Sequence, residues 1–318
     1  MKILVTGGQG YKGSVLVPLL LNHNWHVTTL DIGWFGDYLP DHEHLIKIKG
    51  DIRHLDTINL NDFSHIIHLA NIANDPSVEL APSLSWDINV IATQQLIERA
   101  IHCGVKNFIY ASSGSVYGIS KHLSVTEETE LLPLSVYNKT KMIAERVLLS
   151  YNDQINIYIV RPATVCGVSP RMRLDVAVNI LTYQALCNGE IKLHGGEQIR
   201  PNIHIKDMAS VYLHILDNKN MPSGIYNAGF QNLSLKEIAQ TIQEKINCTI
   251  KIEQLIDPRS YRLCSDKIID SGFSPLFSVN DAIDEIILAY NQKTLQIGPN
   301  TSTIHWMKKL ITDGLITY

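Results

Sequence analysis

An apolar run that breaks into glycines and restarts as a helical pattern leaves a chain few ways to fold. Residues 3–6, ILVT, read as a buried strand; residues 7–13 are GGQGYKG; SVLVPLLLN follows as a helix. Gly7, Gly10 and Gly13 stand at GxxGxxG spacing. A strand-to-helix turn with so little side chain lets backbone N–H groups and a helix N-terminus approach a pyrophosphate closely. Such turns are common, so the surroundings carry the reading. The second strand, HVTTLD, ends in Asp31, about where an acid takes the adenosine ribose hydroxyls and more than a simple turn residue would require. Residues 32–41, IGWFGDYLPD, hold no Lys or Arg to take a 2′-phosphate, which points to NAD rather than NADP. Pro18 lies inside the first helix and cannot donate to the Ser14 carbonyl, so a local kink is expected there.

The alternation continues. HVTTLD, LIKIK, HIIHLA, NFIYASS and INIYIVRP read as further buried strands, with helical periods between them such as WDINVIATQQLIERAIHCG (86–104), closed by a glycine cap. This predicts an α/β fold of the Rossmann type, a doubly wound parallel sheet with helices on both faces. After about residue 164 the pattern loosens, with helices at 175–188, 207–217 and 233–246 and strands at GIYNAG and TIKIEQL. No low-complexity linker separates the halves and no repeat is visible. The expected division is a nucleotide-binding domain from 1–164 and 201–229, interleaved with a smaller α/β substrate-binding lobe from 165–200 and 230–318.

Composition excludes several classes. With 318 residues, 45% hydrophobic and 18% charged, the chain can build a substantial core. A net charge of −4 without a basic run argues against nucleic-acid or anionic-membrane partners. No stretch approaches the length of a membrane span or a signal peptide, and five scattered cysteines form no CxxC pair, so a cytoplasmic, reduced chain is expected. HIIH falls in a strand, where i and i+3 face opposite sides, and DHEH lies in a polar loop without a third cluster. No metal site is expected.

Residues 135–141, SVYNKTK, open a helix. At about 100° per residue, Tyr137 and Lys141 lie roughly 40° apart, on one stripe with Ala144 and Leu148. The pair therefore faces inward. A desolvated phenol beside a fixed cation is expected to ionise more easily, as a proton shuttle near neutral pH requires.

These stretches together resemble the extended short-chain dehydrogenase/reductase superfamily, in its NAD-dependent epimerase/dehydratase branch. TGGQGYKG is similar to that branch's TGGxGYxG, GDIR (50–53) to its adenine-side turn, HLAN (68–71) to its fourth-strand end, and NVIATQQLIERA (89–100) to its NVxGTxNLLEA helix. The resemblance implies that NAD is bound by Gly7, Gly10, Tyr11, Lys12, Gly13, Asp31, Asp51, Ile52, Leu69, Ala70 and Asn89, with Pro162 and Ala163 of RPATVCG beside the nicotinamide. Lys12 stands where the family usually carries an aliphatic residue; a solvent-facing lysine is its commoner fate. Tyr137 and Lys141 become the catalytic pair, the lysine also binding the nicotinamide ribose. The (S/T)xxVYG pattern in ASSGSVYG selects Ser113 as the third catalytic group, with Ser112 and Ser115 close by.

Two further segments imply the substrate. GGEQIRPNIHIKDMA (195–209) and DPRSYRLCSDKI (257–268) resemble the family's diphosphate-binding stretches, pointing to Arg200 and Arg259; Arg171 adds to them or solvates a loop, and Asn71 and Thr164 line the sugar pocket. The implied substrate is a nucleotide-diphosphate sugar. The family's 4,6-dehydratases carry an Asp-Glu pair after the catalytic hydroxyl, and here stand Gly114 and Ser115. Reversible hydride transfer remains: a C4 epimerase in polysaccharide or activated-sugar biosynthesis, or a 4-dehydrogenase or ketoreductase. A non-catalytic NAD-binding regulator is the alternative of another class, disfavoured by retention of Ser113, Tyr137 and Lys141. The resemblance also implies a homodimer through a four-helix bundle built from helices 86–103 and 137–151.

Overall fold

The computed structural model describes residues 1–120, 122–253 and 260–316. Its strands, in chain order, are β1 Lys2–Thr6, β2 His26–Asp31, β3 Leu45–Lys49, β4 His65–His68, β5 Asn107–Ala111, β6 Ser124–Val125, β7 Asn156–Pro162, β8 Thr164–Cys166, β9 Glu190–His194, β10 Ile199–His204, β11 Gly224–Ala228, β12 Gln231–Ser234, β13 Thr249–Glu253 and β14 Arg262–Leu263. Seven of them form one sheet in the order β11-β7-β5-β4-β1-β2-β3, and every pairing in it is parallel. Parallel strands need helical crossovers on both faces, so the central strands are apolar on both sides. Ile3, Leu4 and Val5 of β1, Ile66 and Ile67 of β4, and Phe108 and Ile109 of β5 are completely buried. Two apolar clusters flank the sheet, one around Leu16, Val17 and Met208, the other around Leu96, Ala144 and Leu148.

The strand order turns at β1 and β4. In such sheets the C-terminal ends of the strands either side of the turning point diverge and leave a crevice for a ligand. The smaller sheets β12-β10-β8 and β13-β9 stand beside it, with a third core of Val178, Ile191, Ile238 and Ile283.

Local chemistry explains the element ends. The helix Val136–Leu149 begins where the Ser135 hydroxyl accepts the Asn138 N–H. Ser234 and Glu237 form a reciprocal capping box on the helix Leu235–Lys245. The helix Gly13–Asn22 continues through Pro18. The long period at 86–104 is not one uniform α-helix. It follows on from a short α turn Pro82–Trp86 and comprises a π-helical turn Asp87–Ile91 and the α-helix Ala92–His102. The widened turn accompanies an inward Asn89, which grips the Ile72 backbone in both directions and donates to Thr140. The expected glycine cap is present: Gly104 has φ +74 and the Val105 N–H reaches back to the Ala100 carbonyl at 3.0 Å.

Candidate active site

A cleft of about 720 Å³ runs along the C-terminal ends of β1, β2, β4, β5 and β7, between the large sheet and the smaller ones. At one end lies the glycine turn. A Cβ on Gly7 would stand 2.6 Å from the Ala70 nitrogen, and one on Gly13 would stand 2.4 Å from the Gly8 carbonyl oxygen. Without side chains the loop folds flat against β4 and brings the helix Gly13–Asn22 to the cleft. Tyr11 anchors it from the far side: its hydroxyl donates to the Gly167 carbonyl at 2.8 Å and accepts from Asn179 at 3.0 Å.

Asp31 ends β2 at this cleft wall. Its carboxylate accepts the Gln9 N–H at 3.0 Å and the Gly33 N–H at 2.8 Å. Burial pushes its pKa up, and those two amides pull it back. Asp51 and Ile52 line the same end, Asp51 in a two-pronged ion pair with Arg53. Trp34, Phe35, Thr303 and Met307 close it. The last two come from the helix Thr303–Thr312, whose approach is fixed by the Trp306 indole donating to the Trp34 carbonyl at 2.6 Å. Sequence reasoning missed these four residues; contact across more than 260 positions leaves no local signal.

The other end is built on the helix Val136–Leu149. Lys141, Ala144 and Leu148 are at most 1% exposed, so the stripe faces inward as its spacing predicts. The Lys141 ammonium donates to the Ala111 carbonyl at 2.7 Å and lies 4.7 Å from the centre of the Tyr110 ring. Behind it Glu145 is consumed by a buried ion pair with Arg161 at 2.7 Å and by the Ser112 hydroxyl. Of the three candidate serines, Ser113 is the one whose hydroxyl acts on the Tyr137 phenol, lowering its pKa, and its Oγ is 2.7 Å from that of Ser115.

One electrostatic expectation is reversed. Burial dominates at Tyr137 and pushes the phenol up to about 12, while the Ser113 hydrogen bond and the Arg173 charge pull it down. Burial also holds Lys141 well below the ordinary lysine range. Sequence spacing predicts Lys141 as the acting cation, whereas Arg173 takes that part, and it underestimates desolvation, which acts on Tyr137 and Lys141 alike.

The remaining expected residues distribute as follows. Leu69, Ala70, Asn71, Pro162, Ala163, Thr164 and Arg200 line the cleft. Asn71 donates to the Leu69 carbonyl, and its Oδ1 is buried without a partner among the described residues. Asn89, expected on the cofactor, is 1% exposed and has its amide engaged by Ile72 and Thr140, so it ties the 71–74 loop to the helix Val136–Leu149. Arg171, expected near a substrate diphosphate, stacks 4.0 Å over the Phe35 ring, and its charge acts on Asp31. Its Nε is buried without a hydrogen-bond partner among the described residues, and burial lowers its pKa to about 10. Lys12, counted among the cofactor-binding residues although solvent is the commoner fate of such a lysine, lines the cleft. Arg259 lies outside the described residues.

Residues 3–229 match the model of the NAD dependent epimerase/dehydratase family. The chain belongs to this family. It is 30% identical over 300 residues to a putative UDP-glucose 4-epimerase of Methanocaldococcus jannaschii, covering 90% of this chain and 97% of that one. A probable UDP-arabinose 4-epimerase 3 of Oryza sativa subsp. japonica is 29% identical over 292 residues, 80% of this chain and 71% of its relative. Among solved structures, the UDP-glucuronic acid 4-epimerase of Bacillus cereus, in complex with UDP-glucuronic acid and NAD, superposes with a TM-score of 0.78 at 27% identity over 91% of this chain and all of that one. Like other members of the epimerase/dehydratase family, this chain is an NAD-dependent enzyme. Its cleft fits the dinucleotide: the side-chain-free cradle at Gly7 and Gly13 lies between Asp31 at one end and Lys141 at the other. No helix among the described residues is long and apolar enough to cross a membrane.

Proposed function

We propose that this chain is an NAD-dependent nucleotide-sugar 4-epimerase, with Ser113, Tyr137 and Lys141 as its catalytic group and the lobe 165–200 plus 230–318 holding the nucleotide. The observation that carries it is the meeting of the Ser113 hydroxyl and the Tyr137 phenol in the wall of one cleft, with Lys141 on the same helical stripe. NAD, when bound, supplies the hydride acceptor. Tyr137 takes the proton of the C4 hydroxyl and later returns it. Ser113 donates a hydrogen bond to the same oxygen and fixes its direction. Lys141 holds the nicotinamide ribose and favours the ionised phenol. Thr164 and Asn71 border the sugar, and Arg200 lies on the wall from which a diphosphate would be gripped, joined in this proposal by Arg259.

Gly114 argues against water elimination. A Cβ there would meet the Pro162 carbonyl oxygen at 3.1 Å, and the Gly114 carbonyl already accepts the Tyr261 hydroxyl at 2.8 Å. An acidic side chain has no room at this position without a shift. Ser115 is held against Ser113 and supplies no acid. Release of the keto sugar before its second reduction would make the same site a 4-dehydrogenase. Incubation with UDP-, GDP-, dTDP- and CDP-sugars, following A340 and product stereochemistry together, separates the outcomes. The 4-epimerase reading expects an inverted C4 hydroxyl without net NADH. Net NADH makes the chain a dehydrogenase, and a deoxy-keto product overturns the argument from Gly114.

As part of the same reading, the enzyme works in the cytoplasm as a homodimer. The helices Ala92–His102 and Val136–Leu149 pack together, and Ile91 at their border is 47% exposed. Light scattering of the purified protein at twice the chain mass is the expected result.

A further inference from the structure

Lys12 departs from the rest of the glycine loop. It precedes the helix Gly13–Asn22, where the helix dipole disfavours a cation. Its side chain lines the cleft. No acid pairs with it among the described residues. The carboxylates along the cleft are engaged elsewhere: Asp31 by the Gln9 and Gly33 amides, Asp51 by Arg53, Asp75 by Ser135 and Asp175 by Arg173. The charges close enough to act on it or feel it are themselves positive. Arg173 presses on Lys12, and Lys12 is the largest charge acting on Lys141. Burial lowers the Lys12 ammonium to about 8, which leaves it mostly protonated at pH 7. Local backbone, burial and neighbours therefore all work against a cation here, and no protein group repays the cost.

The direction in which this charge acts locates its effect. Asp31 marks the adenosine end of the cleft, and its charged neighbours are Arg171 and Asp37. Lys12 couples to Lys141, on the stripe that carries Tyr137. Lys12 lines the same cleft as Tyr137 and Lys141, so in the orientation proposed above its ammonium bears on the nicotinamide half of the cofactor. Oxidised nicotinamide is a cation and reduced nicotinamide is neutral, so a nearby fixed positive charge separates their affinities. We propose that Lys12 biases the cleft toward the reduced cofactor, so that this chain holds NADH more tightly relative to NAD than its own neutral variant does. A plain pyrophosphate clamp would strengthen both forms equally. The inference rests on the orientation of the dinucleotide given above and adds a determinant of cofactor redox preference to it.

The test needs no turnover. Wild type, Lys12→Met and Lys12→Arg are equilibrated at pH 7 with equimolar NAD and NADH, without sugar, until the bound ratio is constant. Protein is then separated and both nucleotides are released and quantified. The bound NADH:NAD ratio is expected to fall about tenfold in Lys12→Met and to stay within about twofold of wild type in Lys12→Arg. Lys12→Gln serves in place of Lys12→Met if the latter does not fold. An unchanged ratio in the neutral variant, even with lower total occupancy, overturns the proposal and leaves a clamp on the pyrophosphate. Failure of wild type to retain either nucleotide overturns the cofactor site itself and this proposal with it.

Discussion

The two ends of the cleft solve opposite electrostatic problems. At the proposed adenosine end the Asp31 carboxylate is held by two backbone amides, beside an Arg171 stacked on an aromatic ring. At the proposed nicotinamide end the charge of Arg173 acts on the buried Tyr137 phenol and that of Lys12 on Lys141, one helical turn away. The first end is built largely from backbone geometry and suits recognition. The second concentrates charges whose protonation burial has made costly, which is where proton transfer can be tuned. Binding and chemistry should therefore come apart under mutation.

Tyr137→Phe is the sharpest way to separate them. Turnover with the best nucleotide sugar is expected to fall by about 10²–10⁴, while NAD affinity by fluorescence titration changes only a few-fold. A near-normal rate would remove Tyr137 from the chemistry. Because burial holds the phenol near 12, the wild-type rate should also rise with pH as the tyrosinate becomes accessible.

Gly13→Ala tests the other end. The added methyl would lie 2.4 Å from the Gly8 carbonyl oxygen, which is backbone and cannot swing aside. The expected cost is about 1–3 kcal/mol of stability, read as a lower Tm, together with weaker NAD binding. Unchanged nucleotide affinity would mean that the loop does not cradle the pyrophosphate.

The nicotinamide end should also set part of the acid sensitivity. His68, at the end of β4, is 1% exposed and bonded to the Thr6 and Thr93 hydroxyls. Burial and the Lys141 charge lower its pKa to about 3, from an ordinary value near 6.5. Between those values the unfolded chain binds a proton that the folded one refuses, so stability rises with pH across the window and is lost as pH falls. At pH 5 the loss attributable to His68 is about 2 kcal/mol. His65, lowered to about 4, adds to the same slope. Denaturant midpoints between pH 7 and 5 should fall less steeply for His68→Gln than for wild type. Parallel slopes would mean that the buried histidine does not carry this dependence.

What the sequence reveals divides along similar lines. Strands buried on both faces announce themselves as continuous apolar runs, so β1, β4, β5 and β7 were legible, as were the inward stripe through Lys141 and the glycine turn. These depend on neighbours in the chain. The π-helical turn at Asp87–Ile91 was not legible, because its widening accompanies a grip on Ile72 and Thr140 from distant segments. Nor was Arg171 on Phe35, or the closure by Thr303 and Met307. The Tyr137 pKa failed for a related reason: spacing puts Lys141 on the same stripe, but the cation acting on the phenol is Arg173 from another segment, and only packing supplies the depth of burial.

Arg171 gives the smallest and most discriminating test. The segment 32–41 lacks a cation for a 2′-phosphate, yet tertiary packing brings the Arg171 guanidinium to the same end of the cleft as Asp31. Two opposite charges then compete there. The carboxylate repels a 2′-phosphate and accepts ribose hydroxyls; the arginine would attract the phosphate. Asp31→Ser should narrow the preference for NAD over NADP by about tenfold, the scale of one partly screened charge. Adding Arg171→Met to Asp31→Ser should restore much of that preference by weakening NADP binding. If Asp31→Ser leaves the ratio of the two dissociation constants unmoved, the adenosine end discriminates by shape through Trp34 and Phe35, and its contrast with the charge-driven nicotinamide end becomes sharper still.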